Sequence, residues 1–73
     1  MCKEFKIAQE TVEEFVRSKD SFTYNQLADE ILRRGGVLAV AIGTGVDEYL
    51  KYFVRQNQLK YDSWRKIYTR VSD

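Results

Sequence analysis

The sequence predicts an α+β fold: three helices plus a short strand and a C-terminal β-hairpin, in a single domain spanning residues 1–73. Three observations point there. Apolar residues recur at three- and four-residue spacing in three separate stretches before Gln56. After Gln58 the pattern changes to alternation around a turn. Glycines and polar breaks fall between the stretches and not inside them. A chain of 73 residues supports one modest core, because a domain of this size buries only about 60% of the surface its unfolded form exposes. With 44% hydrophobic and 14% aromatic residues, it is too apolar for intrinsic disorder.

The first helix places Phe5, Ala8, Val12, Phe15 and Val16 on one face and Gln9, Glu10, Glu13, Glu14 and Arg17 on the other. It is expected to end between Ser18 and Asp20. Ser21-Phe22-Thr23 reads as a short extended piece. Thr23 is then an N-cap, and Gln26 completes a capping box of the form Thr-x-x-Gln. The second helix turns Tyr24, Leu27, Ala28, Ile31 and Leu32 inward. It stops at Arg34, ahead of Gly35-Gly36, which suit a left-handed C-terminal cap; Arg33 and Arg34 complement the negative end of the helix dipole.

Residues 37–42, Val-Leu-Ala-Val-Ala-Ile, fit a buried strand by their β-branching and a helical turn by their Leu and Ala content; periodicity over so short a run does not choose. Thr44 is expected to cap the third helix, with Asp47 at the fourth position of the box. That helix buries Val46, Leu50, Phe53 and Val54 and exposes Asp47, Glu48, Lys51, Tyr52 and Arg55. Last comes the hairpin: Leu59 and Tyr61 alternate with Lys60, Asp62 to Arg65 form the turn, and Ile67, Thr69 and Val71 alternate with Lys66, Tyr68 and Arg70.

Two compositional facts narrow the chemistry. The chain has no histidine and a single cysteine, Cys2. Histidine-based nucleophile pairs, His-containing metal sites, intramolecular disulfides and thiolate zinc cages are therefore excluded. The glycine pairs lack the Gly-Lys-Ser/Thr of a phosphate loop. The acids lie on outward helical faces, with no cleft implied for a paired-carboxylate hydrolase. The expectation is a non-enzyme, with no cofactor, metal or small-molecule substrate. No apolar run approaches the ~20 residues that span a bilayer. The charged opening Met1 to Lys6 carries no secretory signal, which together with the lone reduced thiol points to the cytoplasm.

The net charge of +1 is unevenly spread. Up to Gly36, Lys3, Lys6, Arg17, Lys19, Arg33 and Arg34 face seven acids. Between Lys51 and Arg70, six cations stand against Asp62 alone, a local charge of +5. Tyr49, Tyr52, Tyr61, Trp64 and Tyr68 are interleaved with them. A basic, aromatic C-terminal third on a neutral body points to an anionic partner met through one face.

These segments carry a family resemblance. Phe22-Thr23-Tyr24-Asn25-Gln26-Leu27-Ala28 resembles the opening of helix 2 in winged helix-turn-helix DNA-binding domains. Val46 to Leu59 is similar to the third helix and its exit, and Lys60 to Arg70 to the wing, so that the likeness covers nearly the whole chain. It implies a double-stranded DNA-binding protein, a stand-alone transcription regulator. The third helix would enter the major groove with Thr44, Lys51, Tyr52 and Arg55. Lys60, Trp64, Arg65, Lys66 and Arg70 of the wing would meet flanking phosphates or the minor groove. One wing and helix cover few base pairs, so a symmetric homodimer on a palindromic site is expected. A free-standing domain also suits a compact genome, such as that of a phage, archaeal virus or plasmid. Two features depart from the family pattern. Gly35 to Gly45 is a longer connection than the usual tight turn, and Asp47 and Glu48 stand where groove-reading residues are usual. Acids at a helix N-terminus favour its dipole, although a carboxylate also accepts from cytosine N4. Trp64 reads either as packing back on helix 1 or 3 or as a partner contact, and Tyr61 and Tyr68 as a cross-strand pair. The alternative function is a protein-interaction module built on the same fold.

Overall fold

Local signals for the first two helices are realised closely. The computed structural model describes residues 2–71. Helix α1 runs from Lys3 to Ser18 and α2 from Tyr24 to Arg33, separated by strand β1, Ser21–Thr23. At the start of α2 both halves of the capping box are present. Thr23 Oγ1 accepts from the Gln26 N–H at 3.1 Å, and Gln26 Oε1 accepts from the Thr23 N–H at 3.0 Å. Its end is a Schellman motif: Gly36 N–H donates to Ile31 O and Gly35 N–H to Leu32 O. Gly35 sits at φ +91°, where a side chain would be strained. At Gly36 the constraint is space instead, since a Cβ would lie 2.9 Å from Ile31 and 3.0 Å from Ile7.

The uncertain stretch is half strand and nowhere helical. Only Ala39–Ala41 forms a strand, β2, and a turn through Gly43 (φ +82°) returns the chain as β3, Thr44–Gly45, antiparallel to it. Val40 is its one buried apolar side chain, while Ile42 is 93% exposed on the turn. This hairpin corrects the expected cap of the third helix. Thr44 is drawn into the β2–β3 pairing, so Gly45 takes the N-cap position of α3, Val46–Arg55, with no side-chain cap. Leu32 also departs from expectation and is 54% exposed. It flanks the inward stripe of Leu27, Ala28 and Ile31 in the last turn of α2, where no other element covers it.

Strands β4, Leu59–Asp62, and β5, Ile67–Arg70, form the C-terminal hairpin, and β1 pairs with β5 to give an antiparallel sheet of order β1-β5-β4. The register sets Phe22 opposite Tyr68 and Tyr68 opposite Tyr61. On β5 it is therefore Tyr68 that is buried, whereas Thr69 is exposed and Ile67 half-buried. Tyr68 stacks on Phe22 with centroids 5.6 Å apart and meets Tyr61 at 4.6 Å, the cross-strand pair the sequence predicts. The architecture is α+β, with three helices and a small antiparallel sheet. Among the described residues no helix is long and apolar enough to cross a membrane.

The core lies between α1, the inward face of α2 and α3, and the sheet. Ala8, Val12, Phe15 and Val16 meet Phe22, Leu27, Ile31, Val46, Leu50, Phe53, Leu59 and Tyr68. Thr11 is fully buried among them, its hydroxyl donating to Ile7 O at 2.7 Å. Phe5 is only half-buried. Arg34 clamps α2 to α1: its guanidinium meets Glu14 at 3.0 Å and Glu30 at 2.7 Å, while Arg33 also pairs with Glu30.

Phe53 is buried and rests against Tyr49 and Tyr52. Phe53→Ala is expected to cost ~3–5 kcal/mol, out of the ~5–15 kcal/mol typical of a whole domain. The thermal midpoint will show it as a large fall, and an unchanged melting curve would contradict this packing of α3.

The ion network also sets an acid limb. Hydrogen bonds from Arg33 and Arg34 pull the Glu30 carboxyl from 4.5 down to about 2, and a bond from Arg34 lowers Glu14. A folded-state pKa below the unfolded one means the stabilisation is fully present above pH 4.5 and is lost as pH falls towards 2. Urea midpoints measured across that window should fall for the wild type. They should fall less steeply for Arg34→Gln, and parallel curves would show that the network contributes nothing.

Candidate nucleic-acid interface

Burial of Val46, Leu50 and Phe53 turns the opposite face of α3 to solvent. Asp47, Lys51 and Arg55 follow one another at four-residue spacing along it and therefore share a stripe. Two walls flank the stripe. On one side Lys51, Val54 and Arg55 border a groove against Tyr61 and Tyr68 of the hairpin. Further along, Asp47 joins Tyr24 and Asn25 of α2 with Arg65 and Lys66 of the hairpin turn around an open cleft of about 750 Å³. The β1–β5 pairing makes this possible, because it lays the hairpin beside both α3 and the N-terminus of α2.

The residues expected at the interface do not all meet there. Lys51, Tyr52 and Arg55 are exposed on α3, and half-buried Thr44 borders their depression from β3. Arg65 and Lys66 line the cleft. Lys60 is exposed, but strand alternation points it to the sheet face opposite Leu59 and Tyr61, away from the groove. Arg70 is occupied elsewhere. Its guanidinium donates to Arg17 O at 2.7 Å and to Asp20 Oδ1 at 2.9 Å, pinning β5 to the α1–β1 connection. Trp64 does not pack on α1 or α3; it stands 92% exposed in the turn.

Charge is sorted in the same way. Among the described residues Arg33, Arg34 and Arg70 make salt bridges, whereas Lys51, Arg55, Arg65 and Lys66 make none. The cations spent on structure lie away from the groove, and those around it are available to an anion. Asp47 interrupts this positive field. Its carboxylate folds back over the first turn of α3, 2.6 Å from where a Gly45 Cβ would stand, a position that suits the helix dipole. Burial first, and then the Asp47 charge, raise the Tyr24 phenol above its usual pKa. Burial, with smaller contributions from Tyr61, Asp47 and Tyr24, does the same at Tyr68. Both rings remain neutral hydrogen-bonding groups at the cleft wall.

A second aromatic group stiffens α3 from behind. Tyr49 OH donates to Glu13 Oε2 of α1 at 2.8 Å. Burial and then that bond push its pKa up to about 12. Tyr52 stacks on Tyr49 with 15° between rings, which positions its exposed edge beside Lys51 and Arg55.

Tyr24 and Asn25 were not legible as site residues from the sequence, where Tyr24 reads as core. The available signal was the capping box itself, since residues just inside an exposed helix N-terminus are presented to whatever docks there. Comparison with family models, curated proteins and solved structures finds no match to the chain.

Arg70→Ala should therefore act on stability, lowering it by about 1 kcal/mol through the lost clamp. Arg65→Ala combined with Lys66→Gly should leave stability within ~0.5 kcal/mol. Urea denaturation of the two variants checks the division, and a reversed order would mean that the two sets of cations have been misassigned.

Proposed function

We propose that the chain is a winged helix-turn-helix protein that binds double-stranded DNA and acts as a transcription regulator, with α3 in the major groove and the β4–β5 hairpin as the wing. The observation that carries this reading is the placement of four cations without salt bridges among the described residues, Lys51 and Arg55 from α3 beside the groove and Arg65 and Lys66 from the hairpin beside the cleft, two depressions that share Tyr61 and Tyr68 as a common wall. Lys51 and Arg55 lie where a helix in the groove meets base edges and phosphates, while Arg65 and Lys66 reach flanking phosphates or the minor groove. Tyr24, Asn25 and the N–H groups opening α2 supply further phosphate donors at the cleft wall. Lys60 and Arg70 are left out of the contact set, for the reasons of orientation and pairing given above. A symmetric dimer on a palindromic duplex extends the footprint of so small a domain.

A second reading, docking of a protein partner on the same fold, draws on a separate observation. Leu32, Val37, Leu38 and Ile42 all leave apolar surface exposed on the end of α2 and the segment leading through β2.

Fluorescence anisotropy of a labelled random-sequence duplex, titrated at several salt concentrations, tests the proposal. Affinity should fall steeply with salt, with a slope of ~0.9 per neutralised phosphate. Lys51→Ala with Arg55→Ala should flatten that slope by roughly two contacts and weaken binding more than Lys3→Ala with Lys6→Ala. A salt-independent response, or no binding at low salt, would remove the DNA reading and leave the docking one.

A further inference from the structure

Phosphate contacts leave the most conspicuous side chain of the hairpin without a role. Trp64 is the only tryptophan in the chain and is 92% exposed at the β4–β5 turn. An indole held in water forfeits a large burial free energy and is an aggregation hazard. The turn beneath it is firmly built. Asp62 Oδ1 accepts from the N–H groups of Trp64 at 3.0 Å and Arg65 at 3.1 Å, and the Lys66 N–H donates to Asp62 O at 2.6 Å. Lys66 closes the turn in a left-handed conformation, φ +60°. The indole is thus carried on a fixed backbone, and the next two residues, Arg65 and Lys66, are cations without salt bridges among the described residues.

An indole that docks in a protein pocket is usually ringed by other apolar groups. The exposed aliphatic side chains Leu32, Val37, Leu38 and Ile42 belong instead to α2 and the segment through β2. A flat, exposed π-surface on a well-bonded turn, followed directly in sequence by two cations, matches a nucleobase with its phosphates. We infer that Trp64 is a stacking wedge: Arg65 and Lys66 hold phosphates on either side of a base step while the indole stacks on a base of that step. This rests on the duplex-binding reading and deepens it. Because opening an intact step costs free energy, the wedge favours a duplex with one weakened step over a fully paired one.

The single tryptophan makes the experiment direct. Two duplexes of the same length are compared, one fully paired and one with a central T·T mismatch, each bearing a distant label whose anisotropy reports binding independently of the indole. On binding, Trp64 emission should be quenched and its access to acrylamide reduced, more strongly with the mismatched duplex. Trp64→Ala should weaken binding to the mismatched duplex by roughly ten- to a hundred-fold and to the paired one by less. Trp64→Phe, which keeps a ring, should recover most of the loss, and all three proteins should melt alike. Duplex binding by anisotropy with unchanged emission and acrylamide access would overturn the wedge while sparing the DNA reading, as would equal losses on both duplexes. A concentration-dependent shielding of Trp64 in the protein alone would overturn it in favour of self-association. Absence of duplex binding by anisotropy would overturn the DNA reading, and the wedge with it.

Discussion

Contact between Phe22 and Tyr68, and the β1–β5 pairing around it, joins the helical body to the C-terminal hairpin. A two-stranded hairpin is at best marginally stable in water, and β4 with β5 would have little reason to hold a fixed position alone. Pairing with β1 supplies the third strand, and stacking of Tyr68 on Phe22 inserts the hairpin into the core. The edge-on contact of Phe15 with Phe22 carries that connection on into α1. Arg70 adds a polar pin at the far end of β5, through Arg17 O and Asp20. The placement of the hairpin turn relative to α3, and hence the whole groove, follows from this joint.

The same economy governs charge. In a chain with a net charge of +1, a locally positive face arises by distribution and not by excess. Arg33 pairs with Glu30 within α2, while Arg34 and Arg70 pair with carboxylates that tie α2 to α1 and β5 to the α1–β1 connection. Among the described residues the cations on the outer side of α3 and in the hairpin turn, Lys51, Arg55, Arg65 and Lys66, are left without such partners, as are Lys3, Lys6, Arg17, Lys19 and Lys60 elsewhere. Asp47 and Glu48 are the exception, and the dipole of α3, which lacks a side-chain cap, accounts for their position.

Legibility from sequence followed the range of the interactions. The bounds of β1, the capping box of Thr23 and Gln26 and the glycine stop of α2 were readable, because each depends on residues within one turn of one another. So was the exposed set Lys51, Tyr52 and Arg55, fixed by the phase of one amphipathic helix. Thr44 was misread because its local capping signal competes with a strand pairing to Ala41 that no short-range pattern announces. Arg70 read as a free wing cation because its partners, Arg17 and Asp20, are distant in sequence. Leu32 read as core because periodicity cannot tell where a neighbouring element stops covering a helix. The burial of Tyr68 in preference to Thr69 likewise depends on which face of the hairpin meets Phe22.

The carboxylate of Asp62 has an effect beyond the shape of the turn it organises. By bonding the N–H groups of Trp64 and Arg65 it fixes their backbone in the free protein. Much of the ordering entropy of this apex is therefore lost on folding and not on encounter with a partner. A loop that had to freeze on contact would slow association and weaken the complex. On the duplex-binding reading proposed above, a preformed apex would spare a collision with DNA that ordering step.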